Sequence, residues 1–207
     1  MKKFYSPKFW DKKIHFISLI LLPISLIYFL LILLNKVKKI YAKNYQIKVI
    51  CVGNIYLGGT GKTPLTIKIS EILKKHDVKV ATVKKNYSNQ KDEQLLLKQK
   101  TSLIIADSRR DAIYQGINQN YSVLVFDDGL QETKIDFNIK LVCFKSKNWI
   151  GNGQLLPAGP MREKISSLKR FDAVFLNGKL HNFEKIEKQI KNINLDIKIF
   201  KTFYKVL

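Results

Sequence analysis

The sequence predicts an α/β fold: a mostly parallel β-sheet with helices on both faces, preceded by an apolar N-terminal helix. Three observations carry that expectation. From Gln46 onward, short apolar runs alternate with helical ones. A glycine-rich turn at residues 58–63 stands between one such run and a helix. Residues 14–34 contain no Lys, Arg, Asp or Glu. Alternation of this kind is the pattern of parallel strands joined by crossover helices.

The apolar segment comes first. Sixteen of its 21 residues are Leu, Ile or Phe, and as a helix it is roughly 31 Å long against a hydrocarbon core of ~30 Å. Its insertion free energy sums to roughly −5 kcal/mol, offset only in part by His15, Ser18, Pro23, Ser25 and Tyr28. A soluble core helix would show a polar stripe, and none is visible. No small-residue cleavage site follows, which speaks against a signal peptide. Lys12 and Lys13 precede the segment and Lys36, Lys38 and Lys39 follow it, so flanking charge gives no orientation. The helix either spans the bilayer or is kinked by Pro23 into a shallow interfacial hairpin. The expected organisation is residues 1–43 as basic flank and membrane-associated helix, then residues 44–207 as one α/β domain. A chain of 207 residues is long enough for one such core and too short for two.

The later elements follow in order. Residues 47–52 read as a buried strand, Lys62–Lys75 as a helix, and 78–83 as a second strand. Residues 92–100 form a helix carrying Leu95, Leu96 and Leu97. A strand at 102–106, a helix at 109–119, and strands at 123–126 and 139–144 come next. A Gly/Pro-rich loop fills 151–160, followed by a strand at 173–176 and a helix over Phe183–Lys191.

The glycine-rich turn has the sequence Tyr56, Leu57, Gly58, Gly59, Thr60, Gly61, Lys62, Thr63. Its place between strand and helix is that of a P-loop, so the sheet is expected to be of the nucleoside triphosphate hydrolase type. Glycines let successive N–H groups curl toward phosphate oxygens, and the helix N-terminus adds its positive dipole end. Lys62 would reach the β- and γ-phosphates and the Thr63 hydroxyl would ligate Mg²⁺. Pro64 suits the first helical turn, where a missing N–H costs nothing. Tyr56 stands where the usual pattern has its first glycine. A chance match of this kind has odds on the order of 10⁻³. The strand at 123–126 ends in Asp127 and Asp128, which places Asp127 near the metal; capping a turn before Gly129 is its other reading.

Composition excludes some functions. The formal charge is +21, but the lysines are spread thinly, as in chains encoded by AT-rich DNA. No basic-aromatic interleaving or helix-turn-helix pattern appears, so nucleic acid is not an expected partner. Anionic lipid is, since net charge of about +8 surrounds the apolar segment. Cys51 and Cys143 have neither metal-ligand nor disulfide spacing, as in a reducing compartment.

These residues together resemble the tetraacyldisaccharide 4′-kinase (lipid A 4′-kinase) family. The resemblance rests on Phe9 and Trp10 before the apolar helix, Gly53 and Asn54 with the P-loop, Asp92 and Glu93, and Asp127 through Gln131. Most specific is the run Gly151-Asn152-Gly153-Gln154-Leu155-Leu156-Pro157-Ala158-Gly159-Pro160-Met161-Arg162-Glu163. It implies an enzyme on the cytoplasmic side of the bacterial inner membrane that uses ATP and Mg²⁺. The acceptor would be the 4′-hydroxyl of a disaccharide lipid in lipid A biosynthesis. Asp92 would be the base; as read from sequence alone it is a helix N-cap. Lys62 and Asp128 would act on the phosphoryl group, Thr63 and Asp127 on Mg²⁺, and Arg162 and Glu163 would touch the site.

The chain departs from the family pattern at Lys84-Lys85-Asn86-Tyr87, usually Ser-Arg-Gly-Tyr, at Lys91 and Gln94 flanking Asp92-Glu93, and at Glu132, usually His. Family members continue past the position of Leu207 into a lobe carrying a histidine thought to pair with the base. His15, His76 and His181 have no comparable context, so a short form without that lobe is expected. A truncated nucleotide-binding membrane protein without productive transfer is the alternative. A membrane-positioning ATPase is disfavoured, because its loop needs Lys where Leu57 stands.

Overall fold

The computed structural model describes residues 6–37, 45–87, 91–179 and 183–203; Lys38, Lys39 and His181 lie outside them. In chain order the elements are α1 (Phe16–Val37), β1 (Lys48–Gly53), α2 (Lys62–Lys75), β2 (Val80–Lys85), α3 (Lys91–Lys100), β3 (Leu103–Ala106), α4 (Arg109–Asn118), β4 (Val123–Asp127), β5 (Ile139–Lys145), β6 (Ala173–Asn177), α5 (Phe183–Lys191) and β7 (Lys198–Thr202). Two compact units emerge: residues 40–53 with 61–141, and residues 1–39, 54–60 and 142–207.

In the first unit the strand order is β3-β2-β4-β1, with every pair parallel. The chain steps in one direction from β1 through β2 to β3, then back to β4. Right-handed crossovers therefore put α2 and α3 on one face and α4 on the other, and α2 and α3 do touch. Strand interiors read as near-continuous apolar runs because both faces are covered: Val49, Cys51, Val52, Leu124 and Val125 are all buried. Gly116 lets α4 close on β4, since a Cβ there would lie 2.8 Å from Leu124. Ser108 caps α4, its hydroxyl accepting from the Asp111 N–H at 3.1 Å. Both cysteines are buried free thiols, and burial pushes the Cys51 thiol up.

Strand β2 begins two residues later than expected. Asp77 adopts a left-handed conformation at φ 56°, and the Val78 N–H bonds back to Leu73 O at 3.1 Å. Val78 thus belongs to the turn that ends α2, while Lys79 O accepts from the Ser122 N–H at 2.8 Å just ahead of the strand. In exchange the strand continues through Lys84 and Lys85, beyond the expected end at residue 83.

In the second unit the strands follow the order β5-β6-β7. Strand β7 is absent from the sequence expectation, because Lys198 and Lys201 dilute its apolar pattern. Lysines on a terminal strand discourage edge pairing. It pairs in parallel with β6, placing Phe200 opposite Phe175 with ring centroids 4.9 Å apart.

Helix α1 is continuous through Pro23, so the kinked hairpin does not form. The lost N–H costs one helical bond, but docking on both sides of the proline holds the axis. Ser18, Ser25 and Tyr28 lie seven and three residues apart and share one helical face. Asn152 Nδ2 donates to Ser18 Oγ at 3.3 Å, and Ser25 Oγ donates to Leu155 O at 3.0 Å. Ser25 Oγ also accepts from the Ala158 N–H at 3.0 Å, and the Tyr28 hydroxyl donates to Arg162 O at 3.1 Å. Trp10, buried ahead of the helix, donates Nε1–H to Pro157 O at 3.1 Å. The opposite face, with Ile20, Ile24, Ile27 and Leu31, is exposed.

Ser25→Ala would strip the buried Ala158 N–H of its partner and leave Leu155 O with the Gly159 N–H alone. The expected cost is about 1–3 kcal/mol, read by chemical denaturation in detergent. An unchanged midpoint would mean that α1 does not dock as described.

Candidate active site

The site grows from the C-terminal ends of β1 and β4. Their parallel register sets Val52 beside Asp127, so a carboxylate at the end of β4 lies level with the end of β1. Gly61 turns the chain at φ 88°, the left-handed region. The next residues, Lys62 and Thr63, form the first turn of α2. Thr63 Oγ1 donates to Asp127 Oδ2 at 2.9 Å. Asp127 is 2% exposed, and its Oδ1 has no hydrogen-bond partner among the described residues. A hydroxyl and an unsatisfied carboxylate oxygen at a helix N-terminus suit Mg²⁺, which takes one or two protein oxygens and fills its sphere with phosphate and water. No cluster of three ligating side chains occurs among the described residues, so a cage made of such side chains alone is not the arrangement they offer.

The residue that sequence reasoning missed is Lys84. It is 2% exposed, and its Nζ donates to Asp127 Oδ2 at 2.7 Å and to Glu93 Oε2. Burial alone would push the ammonium down, but the Asp127 and Glu93 carboxylates outweigh it and hold Lys84 above the ordinary lysine value. Burial pushes the Asp127 carboxyl up, against the pull of Lys84, Lys62 and the Thr63 hydroxyl. Opposite charges at contact distance make the ionised pair the favoured form.

The other expected residues of this unit are spread around that centre. Asp92 is exposed at the start of α3, next to Glu93 but not in its contact with Lys84. Asp128 sits at φ 70°, its N–H bonded to Val52 O at 2.8 Å and its carbonyl accepting from Arg109 Nη2. Arg109 also pairs with Glu132 at 3.6 Å, which gives the unexpected residue at 132 a clear role in fixing the turn. Gly129 is hemmed in by Cys51, Arg109 and Phe137.

In the second unit, Tyr56, Leu57, Gly58, Gly59 and Thr60 rest on the 151–163 run. Leu57 N–H bonds to Pro160 O at 2.8 Å and Arg162 N–H to Ile55 O at 2.8 Å. Tyr56 bridges to Met161, and its buried ring explains how the loop tolerates a residue other than glycine. Asn177 at the end of β6 donates Nδ2–H to Thr60 O. Glu163 is buried and paired with Arg170. The conspicuous Gly/Pro run is therefore a backbone platform, and only Arg162 and Glu163 within it carry charge.

Asp127→Asn would leave the buried Lys84 ammonium with Glu93 as its remaining carboxylate partner among the described residues. A loss of about 3–5 kcal/mol is expected without nucleotide, with substantial recovery when Lys84→Met is added. Additive losses in the double variant would refute the coupling.

Comparison with known proteins identifies the family. The family model described as LpxK, tetraacyldisaccharide-1-P 4′-kinase, matches residues 17–205. A tetraacyldisaccharide 4′-kinase of Pelagibacter ubique is 49% identical over 199 residues, covering 95% of this chain and 62% of the relative. One from Legionella pneumophila strain Lens is 32% identical, covering 90% and 66%. The chain thus spans somewhat under two thirds of the length of these relatives. LpxK from Aquifex aeolicus in complex with ATP superposes with TM-score 0.63 at 21% identity, over 91% of this chain and 82% of that one. The signal recognition particle 54 kDa protein of Aeropyrum pernix in complex with GDP gives 0.53 at 10% identity, over 86% and 47%. These structures share the α/β P-loop fold. By family model and by identity, the chain belongs to the tetraacyldisaccharide 4′-kinase family.

Proposed function

We propose that this chain is an ATP-dependent lipid kinase that phosphorylates the 4′-hydroxyl of a tetraacyldisaccharide 1-phosphate lipid A precursor. The observation that carries this reading is the hydrogen-bonded Thr63–Asp127 pair at the end of a P-loop, in a chain of this family. The P-loop backbone from Tyr56 to Thr63 would hold the triphosphate, with Lys62 on its β- and γ-phosphates. Mg²⁺, held by Thr63, Asp127 and the phosphates, would neutralise charge on the transferred group.

Asp92 would take the proton of the 4′-hydroxyl. The freed oxygen attacks the γ-phosphorus, the bond to the β-phosphate oxygen breaks, and ADP leaves; the proton passes from Asp92 to solvent. Its exposed position suits a base that meets an acceptor arriving from outside, with the tight contact made only in the complex. Asp128 would border the phosphoryl group together with Lys62. Arg162 and Glu163 are further candidates for substrate contact.

A lipid acceptor also gives α1 its purpose. The helix is long and apolar enough to cross a membrane, with mean hydropathy 2.8 over an 18-residue window within Phe16–Asn35. Its hydrogen bonds from Ser18 to Tyr28, however, run along roughly 15 Å of axis against irregular backbone at 152–162. Such backbone is not stable facing hydrocarbon. The helix therefore lies at the cytoplasmic face of the inner membrane, its exposed Ile and Leu face in the acyl region. Exposed Lys8, Lys12 and Lys13 meet anionic headgroups.

The deciding measurement is phosphoryl transfer from Mg·ATP to the disaccharide lipid by purified protein in mixed micelles. Lys62→Ala should lose at least about 100-fold in rate, and Asp92→Asn about 10²–10⁴-fold with ATP binding retained. Wild-type product no greater than the Lys62→Ala background would rule out the kinase.

A further inference from the structure

A lysine buried to 2% exposure is an expensive way to fill space. An apolar side chain of similar volume would pack there without desolvating a charge. Lys84 nevertheless carries its ammonium to the one carboxylate placed to meet a metal. It also reaches Glu93, in the first turn of the helix that carries Asp92. Its two carboxylate partners come from β4 and α3, so a single cation joins the end that would hold phosphate to the end that would hold the acceptor's base. Asp127 Oδ2 is shared between Thr63 and Lys84, while Oδ1 is unpartnered among the described residues.

From this geometry we infer that Lys84 is a positioning residue of the transfer site, acting as a built-in cation with two effects. It shares Asp127 with the incoming Mg²⁺ and so sets how much Mg²⁺ the nucleotide needs. Through Glu93 it tethers the first turn of α3 and thereby aims Asp92. The inference rests on the kinase reading for its second effect; the first requires only that Mg·ATP bind at the P-loop.

The two partners of Lys84 make opposite predictions. Removing the ammonium by Lys84→Met leaves Asp127 uncompensated and more attractive to a divalent cation. The Mg²⁺ concentration that half-saturates ATP binding, measured by calorimetry, should fall about three- to tenfold. Removing the competing carboxylate by Glu93→Gln gives Lys84 wholly to Asp127, and the same half-saturation should rise about threefold. Both variants should lose at least about tenfold in kcat while KM for ATP shifts less than about threefold, because aim rather than nucleotide affinity is lost. Lys84→Arg, which keeps the charge, should hold the Mg²⁺ half-saturation within about twofold of wild type.

A lysine that merely supports the fold would lower stability and leave the Mg²⁺ dependence unmoved in variants that remain folded by circular dichroism. That outcome, or shifts of the same sign for Lys84→Met and Glu93→Gln, overturns the proposal. If Lys84→Met does not fold, an unshifted Glu93→Gln is sufficient to overturn it. Wild-type protein that binds Mg·ATP but makes no phospholipid product would refute the kinase reading, and the Mg²⁺ half-saturations would still decide the role of Lys84. Wild-type protein that binds no ATP at all would refute both.

Discussion

A carboxylate with almost no access to water dictates much of the first unit. Asp127 ends β4 at a level fixed by its register with β1, and an ionised group so placed is tolerable only if cations and donors converge on it. They come from separate elements: the Thr63 hydroxyl from the first turn of α2 and the Lys84 ammonium from β2. Each requirement propagates into the backbone. For Lys84 to reach Asp127, β2 must stay in the sheet two residues beyond its apolar stretch. For Lys84 to be satisfied in turn, α3 must begin with an acid within reach, which Glu93 supplies. The glycine at 61 then serves a geometric demand, since the chain must reverse sharply for Thr63 to face β4.

In the second unit a single stretch of irregular backbone does comparable work. Residues 152–162 offer N–H and carbonyl groups in two directions, toward the 55–57 loop and toward α1. Loop backbone buried this way needs a partner for nearly every polar group. The partners on α1 are a serine pair and a tyrosine set on one face of an otherwise apolar helix. The polar residues that weaken α1 as a membrane span are thus the ones that attach it to the protein. Pro23 fits the same logic, because a helix held at Ser18 and at Ser25 has little freedom to bend between them.

Much of the fold is legible in the sequence because its signals are local. Strand and helix periodicities, the glycines before Lys62 and the Asp-Asp-Gly turn after β4 each announce themselves within about ten residues. The missed features depend on residues far apart. Lys84 at the end of an apolar run reads as solvated, and only the sheet order, which puts β2 beside β4, reveals its partner 43 residues away. Strand β7 is half-exposed and lysine-bearing, so its pairing with β6 leaves little trace in hydropathy. Glu132 reads as a lost histidine until Arg109 is seen beside it. Asp92, by contrast, comes from resemblance alone. Its exposed position is what a base awaiting its acceptor and an ordinary residue opening a helix have in common.

The lysine surplus makes the same point about what composition can conceal. Discounting it is sound for lysines that stand in water, where a charge costs little and carries little information. The discount fails for a lysine with no water around it, since there the desolvation penalty has to be met by specific partners. Lys84 and Lys85 are neighbours of identical chemistry on one strand. Strand alternation sends their side chains to opposite faces, so that one is buried among carboxylates and the other lies over the Tyr87 ring at 5.3 Å. Neither net charge nor residue type separates them; the pleat does, and it does so only because β2 is paired along its full length. The different fates of the two lysines therefore begin in the hydrogen-bond register of the sheet, before any ligand arrives.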